Sequence, residues 1–147
     1  MSNPDQAAAL FTEGYNCAQS VLAPYAEALG IPRHLALRLA APFGGGIGCS
    51  GETCGAVTGA LMVLGLKLAA IDPKDPAAKQ KNYQLAQEFI TQFETRHRTT
   101  ICRDLLGCDI STPAGMQQAR DQKLFATICP PLVKTAAELV DSLLATS

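Results

Sequence analysis

The sequence predicts an all-α fold: a single-domain helical bundle over residues 1–147, with a buried central helix preceded by a glycine-rich loop. Three observations carry this. Apolar residues recur at helical spacing along most of the chain, and nowhere do they alternate as in a strand. Proline and glycine stand where helices would begin and end. A run from Gly55 to Leu66 is apolar on every side, yet it stops at Lys67, well short of the roughly 20 residues a membrane span needs.

The elements follow in order. Asn3 before Pro4 reads as an N-cap and first helical position, opening a helix to Glu13 that Gly14 ends. A second helix covers Asn16 to Leu29, with Cys17, Val21, Tyr25 and Leu29 on one face, Pro24 as a kink and Gly30 as its stop. Ile31-Pro32 leads into a short helix, Arg33 to Ala41, bearing Leu35, Leu37 and Leu39. The loop from Pro42 to Gly55 then carries Gly44, Gly45, Gly46, Gly48, Gly51 and Gly55. Glycine is costly to order, so such a loop needs a purpose.

The central helix, Gly55 to Ala70, has Gly55 and Gly59, and Ala56 and Ala60, four apart, so that another helix can approach closely. Asp72-Pro73-Lys74-Asp75-Pro76 is a connection. A long amphipathic helix follows from Pro76 to Arg98, with Tyr83, Phe89, Ile90 and Phe93 as its apolar positions. Thr100 caps a short helix to Leu106 that Gly107 ends. Thr112-Pro113 opens a helix to Lys123. Pro130-Pro131 starts the last, with Leu132, Ala136, Leu139, Val140, Leu143 and Leu144 facing inward.

Composition narrows the function. The chain has 147 residues, 48% hydrophobic and 17% charged, which suits one ordinary core. A net charge of -1 provides no basic surplus for phosphates, and 5% aromatics with no Trp give little to stack bases on, so nucleic acid is not an expected partner. No membrane partner is expected either. The N-terminus lacks a basic start followed by an apolar run, so the expected location is cytoplasmic.

Six cysteines are then the anomaly, because a reducing compartment does not favour structural disulfides. Free cysteine is often just a small buried hydrophobe. Here, though, Cys17, Cys54, Cys102 and Cys129 each fall near a predicted helix start, where unpaired N–H groups and the helix dipole favour a thiolate. Cys54 is the strongest candidate, entering the central helix from the glycine-rich loop with Thr53 as its cap. Cys49 lies five residues earlier, in a spacing compatible with shared ligation or a disulfide. Gly48, Gly51 and Gly55 would let a cofactor approach the backbone. Cys108 reads as a loop residue. Glu52 is a nearby proton acceptor, and His34 and His97 read as solvated surface residues. No Cys-x-x-Cys, Walker loop or dinucleotide fingerprint occurs.

The run Phe43-Gly44-Gly45-Gly46-Ile47-Gly48 through Cys54-Gly55-Ala56-Val57-Thr58-Gly59-Ala60-Leu61 resembles the signature of the C_GCAxxG_C_C family of redox-active proteins. Gly14-Tyr15-Asn16-Cys17-Ala18-Gln19, Cys102-Arg103-Asp104-Leu105-Leu106-Gly107 and Cys129 resemble its other motifs. The resemblance implies a redox role, with Cys17, Cys54, Cys102 and Cys129 as the recurring cysteines and Cys49 and Cys108 as additions. The family is similar to part of the split-Soret cytochromes, which are helical and dimeric. That similarity, with the small-residue helix face, points to a homodimer. The haem-attachment motif is missing, so haem is not expected.

Three chemistries fit these residues. The first is an iron–sulfur or other metal centre for electron transfer, held by Cys17, Cys54, Cys102 and Cys129 and extended by Cys49. The second is thiol–disulfide exchange with Cys54 as the catalytic thiolate and a neighbour resolving it. The third is a structural zinc site in an interaction module, although zinc ligands usually come in close pairs. A scaffold with buried thiols is the bland alternative. The redox partner protein is not legible.

Overall fold

The computed structural model describes residues 1–68 and 72–146. Eight α-helices are present among them, and the only β-type pairing is an isolated antiparallel bridge between Thr53 and Ile101. No helix of the described residues is long and apolar enough to cross a membrane.

Helix α1 runs Asn3–Glu13, with Pro4 in its first turn. Its cap is Ser2, whose hydroxyl accepts the Asp5 N–H, rather than Asn3. Asn3 instead donates to Asp141. Helix α2 runs Cys17–Ala26 and tightens into a 3-10 turn at Glu27–Leu29. Asn16 and Gln19 close a reciprocal capping box at its start, satisfying two N–H groups that a helix leaves unpaired. Helix α3 is Arg33–Ala40, with Leu35 and Leu39 largely exposed.

Helix α4, Gly55–Leu68, is the central apolar helix. Ala69 and Ala70, which the sequence assigns to it, lie outside the described residues. Its burial is incomplete. Thr58, Leu61, Met62, Gly65 and Leu66 form a half-buried stripe, while the rest packs against α2 and the two long helices. Helix α5, Pro76–His97, is capped by Asp75. Phe89 and Phe93 are wholly buried, with ring centroids 6.0 Å apart, whereas Tyr83 points to solvent. His97 is not a free surface residue. It packs on Phe93 and shares a 3.0 Å hydrogen bond with Thr135.

Helix α6 is the short Cys102–Leu106, preceded by Ile101 rather than capped by Thr100. Helix α7 is Pro113–Asp121, capped by Thr112. Helix α8 overturns an expectation. It begins at Leu124, not at Pro130, and runs to Thr146 with both prolines inside it. Proline lacks the N–H that would bond the carbonyl four residues back, here those of Ala126 and Thr127. Both residues are exposed, so water can take over their freed carbonyls and the helix survives.

Helix α8 is the spine, touching α1, α2, α4, α5, α6 and α7. Tyr25 ties α2 to it by donating to Asp141 at 2.7 Å and contacting the Ala137 carbonyl at 3.0 Å. Helices α2 and α4 set the positions that matter most. A Cβ added to Gly59 would stand 2.7 Å from the Ala18 carbonyl oxygen and 3.0 Å from its Cα. A Cβ on Gly55 would stand 2.8 Å from the Ala18 nitrogen and 3.0 Å from the Cys17 Cβ. The two helices therefore meet backbone to backbone, with their first turns side by side. The small-residue face is spent within the chain.

Gly59→Ala should accordingly cost about 1–3 kcal/mol, because the atoms in the way are backbone and cannot step aside. Gly65→Ala meets nothing within 4 Å among the described residues. It should gain about 0.5–1 kcal/mol by removing glycine from a helix interior. Urea unfolding of the two variants checks the contrast, and equal effects would contradict the close approach.

Candidate functional site

The glycine-rich loop is built before the site can be. Gly45, Gly46, Ile47, Gly48 and Cys49 have consecutive φ values of 63°, 70°, 69°, 58° and 59°. Five left-handed residues in succession form a reversed helical turn, a conformation that L-residues other than glycine adopt at a cost of about 1–2 kcal/mol each. Three glycines make the turn affordable, while Ile47 and Cys49 are held in it. Internal bonds fasten it: Gly48 N–H to the Pro42 carbonyl, Cys49 to Gly44, Gly51 to Gly45, and Glu52 to Gly46.

The loop is then stitched to α6. Cys54 N–H reaches the Thr100 carbonyl at 2.7 Å, and Cys102 N–H reaches that of Glu52 at 2.6 Å. Glu52 pairs with Arg103 at 2.9 Å on the surface, so it clamps the loop and does not face the thiols. Cys54 and Cys102 thus leave the Thr53–Ile101 bridge on adjacent strands of chain, each stepping straight into a helix.

These connections place five thiols around one cavity of about 280 Å³. Cys17, Cys54, Cys102 and Cys129 are buried in its floor, and Cys49 stands exposed at its mouth. Phe11, Phe125, Leu105, Leu106, Ile110 and Leu132 make apolar walls, and no charged side chain lines it. Gly45, Gly46 and Gly55 contribute bare backbone. Gly48 and Gly51 lie in the same loop but outside the lining, Gly51 against Arg103 and Asp109. Cys108, half-buried, borders a separate polar hollow with Arg98 and Asp104.

Three thiols stand at helix starts, as the sequence predicts. Cys17 is the first residue of α2, Cys102 the first of α6, and Cys54 immediately precedes α4. Cys54 is itself the cap, displacing Thr53: its carbonyl accepts the Val57 and Thr58 N–H groups. Cys129 departs from the pattern, because α8 starts five residues before it. It reaches the cavity from within a helix.

The electrostatics separate the thiols. The Cys17 thiol is held well above the ordinary thiol range, chiefly by thiol–thiol interaction with Cys129 and Cys54 and further by burial. Cys54 moves down. The Cys17 thiol donates to its sulfur, and the N–H groups of Ala56 and Val57 add their dipoles, outweighing burial. Cys102 is pushed up to about 12 by burial and by the charge of neighbouring thiols. Cys54 is thus shifted toward its thiolate form while Cys17 and Cys102 are shifted away from theirs.

Metal ligation can be tested against this arrangement. A four-coordinate zinc ion needs thiolates about 3.8 Å apart, given its bond length and tetrahedral angle. Among the described residues, no three Cys, His, Asp or Glu side chains are grouped to hold one metal ion. A ready-made tetrahedron for a lone ion is not assembled. A cluster of iron and sulfide spans more space, and four thiols facing one largely apolar cavity match its donor chemistry.

Sequence reasoning missed Gly45, Gly46 and the apolar walls of the cavity. The triple glycine was the available signal for the first two. The walls come from α1, α6 and α8, whose meeting at one place no local pattern reveals.

Compared with known proteins, residues 15–143 match the family model described as "Putative redox-active protein (C_GCAxxG_C_C)". No curated protein and no solved structure matches the chain.

Because Cys54 both caps α4 and has the thiol that is shifted down, the two properties separate by substitution. Cys54→Ser should keep stability within about 0.5 kcal/mol, since serine caps well, and Cys54→Ala should lose about 1 kcal/mol. In the unmodified protein, alkylation of Cys54 by iodoacetamide should rise with pH and level off with a midpoint below the roughly 8.5 of a free cysteine. Cys17 should stay protonated and unreactive over the same range. Peptide mapping of the alkylated protein reads both.

Proposed function

The chain belongs to the C_GCAxxG_C_C family, and from that premise we propose that it is a thiol-based redox protein in which Cys54 is the reactive thiolate and Cys17 its disulfide partner. The observation that carries this reading is the placement of Cys17 and Cys54 at the adjoining starts of α2 and α4, where a Cβ on Gly55 would stand 3.0 Å from the Cys17 Cβ.

The chemistry follows from that pair. The thiolate is the nucleophile, and the downward shift of the Cys54 thiol favours that form. It attacks one sulfur of a disulfide, forming a mixed disulfide and expelling the other half as a thiolate. The Cys17 sulfur then attacks Cys54, its proton passing to the second departing thiolate. The product is a Cys17–Cys54 disulfide, and two electrons have moved to the substrate as two thiols. The close approach of α2 and α4 holds the partners ready, so little chain entropy is lost when the bond forms. Cys129 lines the same cavity as Cys17 and is the alternative partner. Neighbouring thiols hold the Cys17 thiol up and burial holds Cys102 up, so a single thiol acts first.

The shared cavity supports a second reading, the iron–sulfur centre. Cys17, Cys54, Cys102 and Cys129 would hold it, with Cys49 at its edge, and a bound cluster would supply one-electron transfer. Both readings suit a reducing compartment, where free thiols persist.

One preparation separates them. Protein purified without oxygen should lack iron and acid-labile sulfide in matching amounts. It should form a Cys17–Cys54 disulfide on mild oxidation and lose it with dithiothreitol, and Cys54→Ser should abolish that cycle. Stoichiometric iron and sulfide with charge-transfer bands would overturn the thiol reading in favour of the cluster.

A further inference from the structure

Cys54 is only 3% exposed, so a thiol reading has to explain how a bulky substrate reaches it. The cavity of about 280 Å³ is apolar and lined by no charged group. A peptidic or otherwise charged disulfide would have to shed its hydration to enter, with nothing inside to replace it.

Cys49 stands where that problem could be solved. It alone of the cavity thiols is exposed to solvent. Its sulfur is aimed at the mouth by the loop: a Cβ added to Gly45 would lie 2.7 Å from the Cys49 Sγ, so the missing side chain makes the seat for that sulfur. Both residues line the cavity. Only four residues, Ser50, Gly51, Glu52 and Thr53, separate Cys49 from Cys54. The other outlying cysteine, Cys108, opens onto a different hollow.

Resting on the Cys54–Cys17 pair, we propose that Cys49 is an entry thiol, which exchanges with bulky or charged disulfides at the cavity mouth and passes the bond inward to Cys54. The Cys49 thiolate attacks the substrate disulfide, making a Cys49 mixed disulfide and releasing the first substrate thiolate, which takes a proton from water. Cys54 attacks the Cys49 sulfur, releasing the second substrate thiolate and leaving a Cys49–Cys54 disulfide. Cys17 attacks Cys54, and its proton goes to the departing Cys49. The buried pair ends oxidised, Cys49 is a thiol again, and the substrate has gained two electrons. Small uncharged oxidants need no such step.

The test uses the reduced full chain and dithiobis-nitrobenzoate, a dianionic aromatic disulfide whose released thiolate is coloured. Given one equivalent of reagent, the unmodified protein should release two equivalents of thiolate and end with a Cys17–Cys54 disulfide. Cys49→Ser should slow the release by roughly tenfold or more, and Cys108→Ser should leave it unchanged. Cys54→Ser should release one equivalent quickly and retain the aromatic adduct on Cys49, seen by peptide mass spectrometry. An adduct found first on Cys54 or Cys102, or a Cys49→Ser protein as fast as the unmodified one, would overturn the relay. Hydrogen peroxide tests the premise by itself. If it fails to produce a Cys17–Cys54 disulfide in the unmodified protein, the pair is wrong and the relay falls with it.

Discussion

The contact on which the rest depends is the backbone-to-backbone meeting of α2 and α4. Gly55 and Gly59 lack the Cβ atoms that would strike Cys17 and Ala18. That absence lets two helix starts lie side by side, one led by Cys17 and the other capped by Cys54. Without it the thiols would be held apart by at least a methyl group's width, and the hydrogen bond that depresses Cys54 would lengthen. The remaining architecture serves this contact. Helix α8 backs both helices, and the Tyr25–Asp141 bond fixes the far end of α2 to it. The stitched loop delivers Cys54 and Cys102 to the same place from one short bridge.

Much of this was legible in the sequence, for reasons that differ by element. Helices α1, α5 and α7 begin with proline in the first turn after a capping side chain, and that local chemistry decides their starts wherever they sit in the fold. The all-helical class followed from periodicity. Helix α8 misled because two adjacent prolines ordinarily open a helix. Here an exposed turn precedes them, and solvent rather than the sequence pattern decides whether the freed carbonyls can be tolerated. Tyr83 misled for a similar reason: apolar character says a side chain favours burial, not that a neighbour arrives to bury it.

The thiol centre divides the same way. That Cys17, Cys54 and Cys102 lie at helix starts is local information, and it was readable. That they face each other is not, because it depends on segments far apart in the chain meeting at Gly55 and Gly59. The difference between the thiols was less readable still. Identical side chains end up on opposite sides of the ordinary thiol range because one receives hydrogen bonds and another donates them. The exposure of Cys49 and its left-handed backbone follow from a loop conformation that glycine content permits but does not specify.

The scattering of these cysteines along the chain has a consequence for biogenesis. Cys17, Cys54, Cys102 and Cys129 belong to four separate helices, so a ribosome-bound or unfolded chain has no built-in preference for the native partnership. Oxidised too early, it would cross-link at random and trap itself. The four thiols come to one cavity only after α2, α4, α6 and α8 have packed. A chain that folds before it meets an oxidant avoids those cross-links, so the packing of the helices itself protects the thiols, which are free in the folded protein.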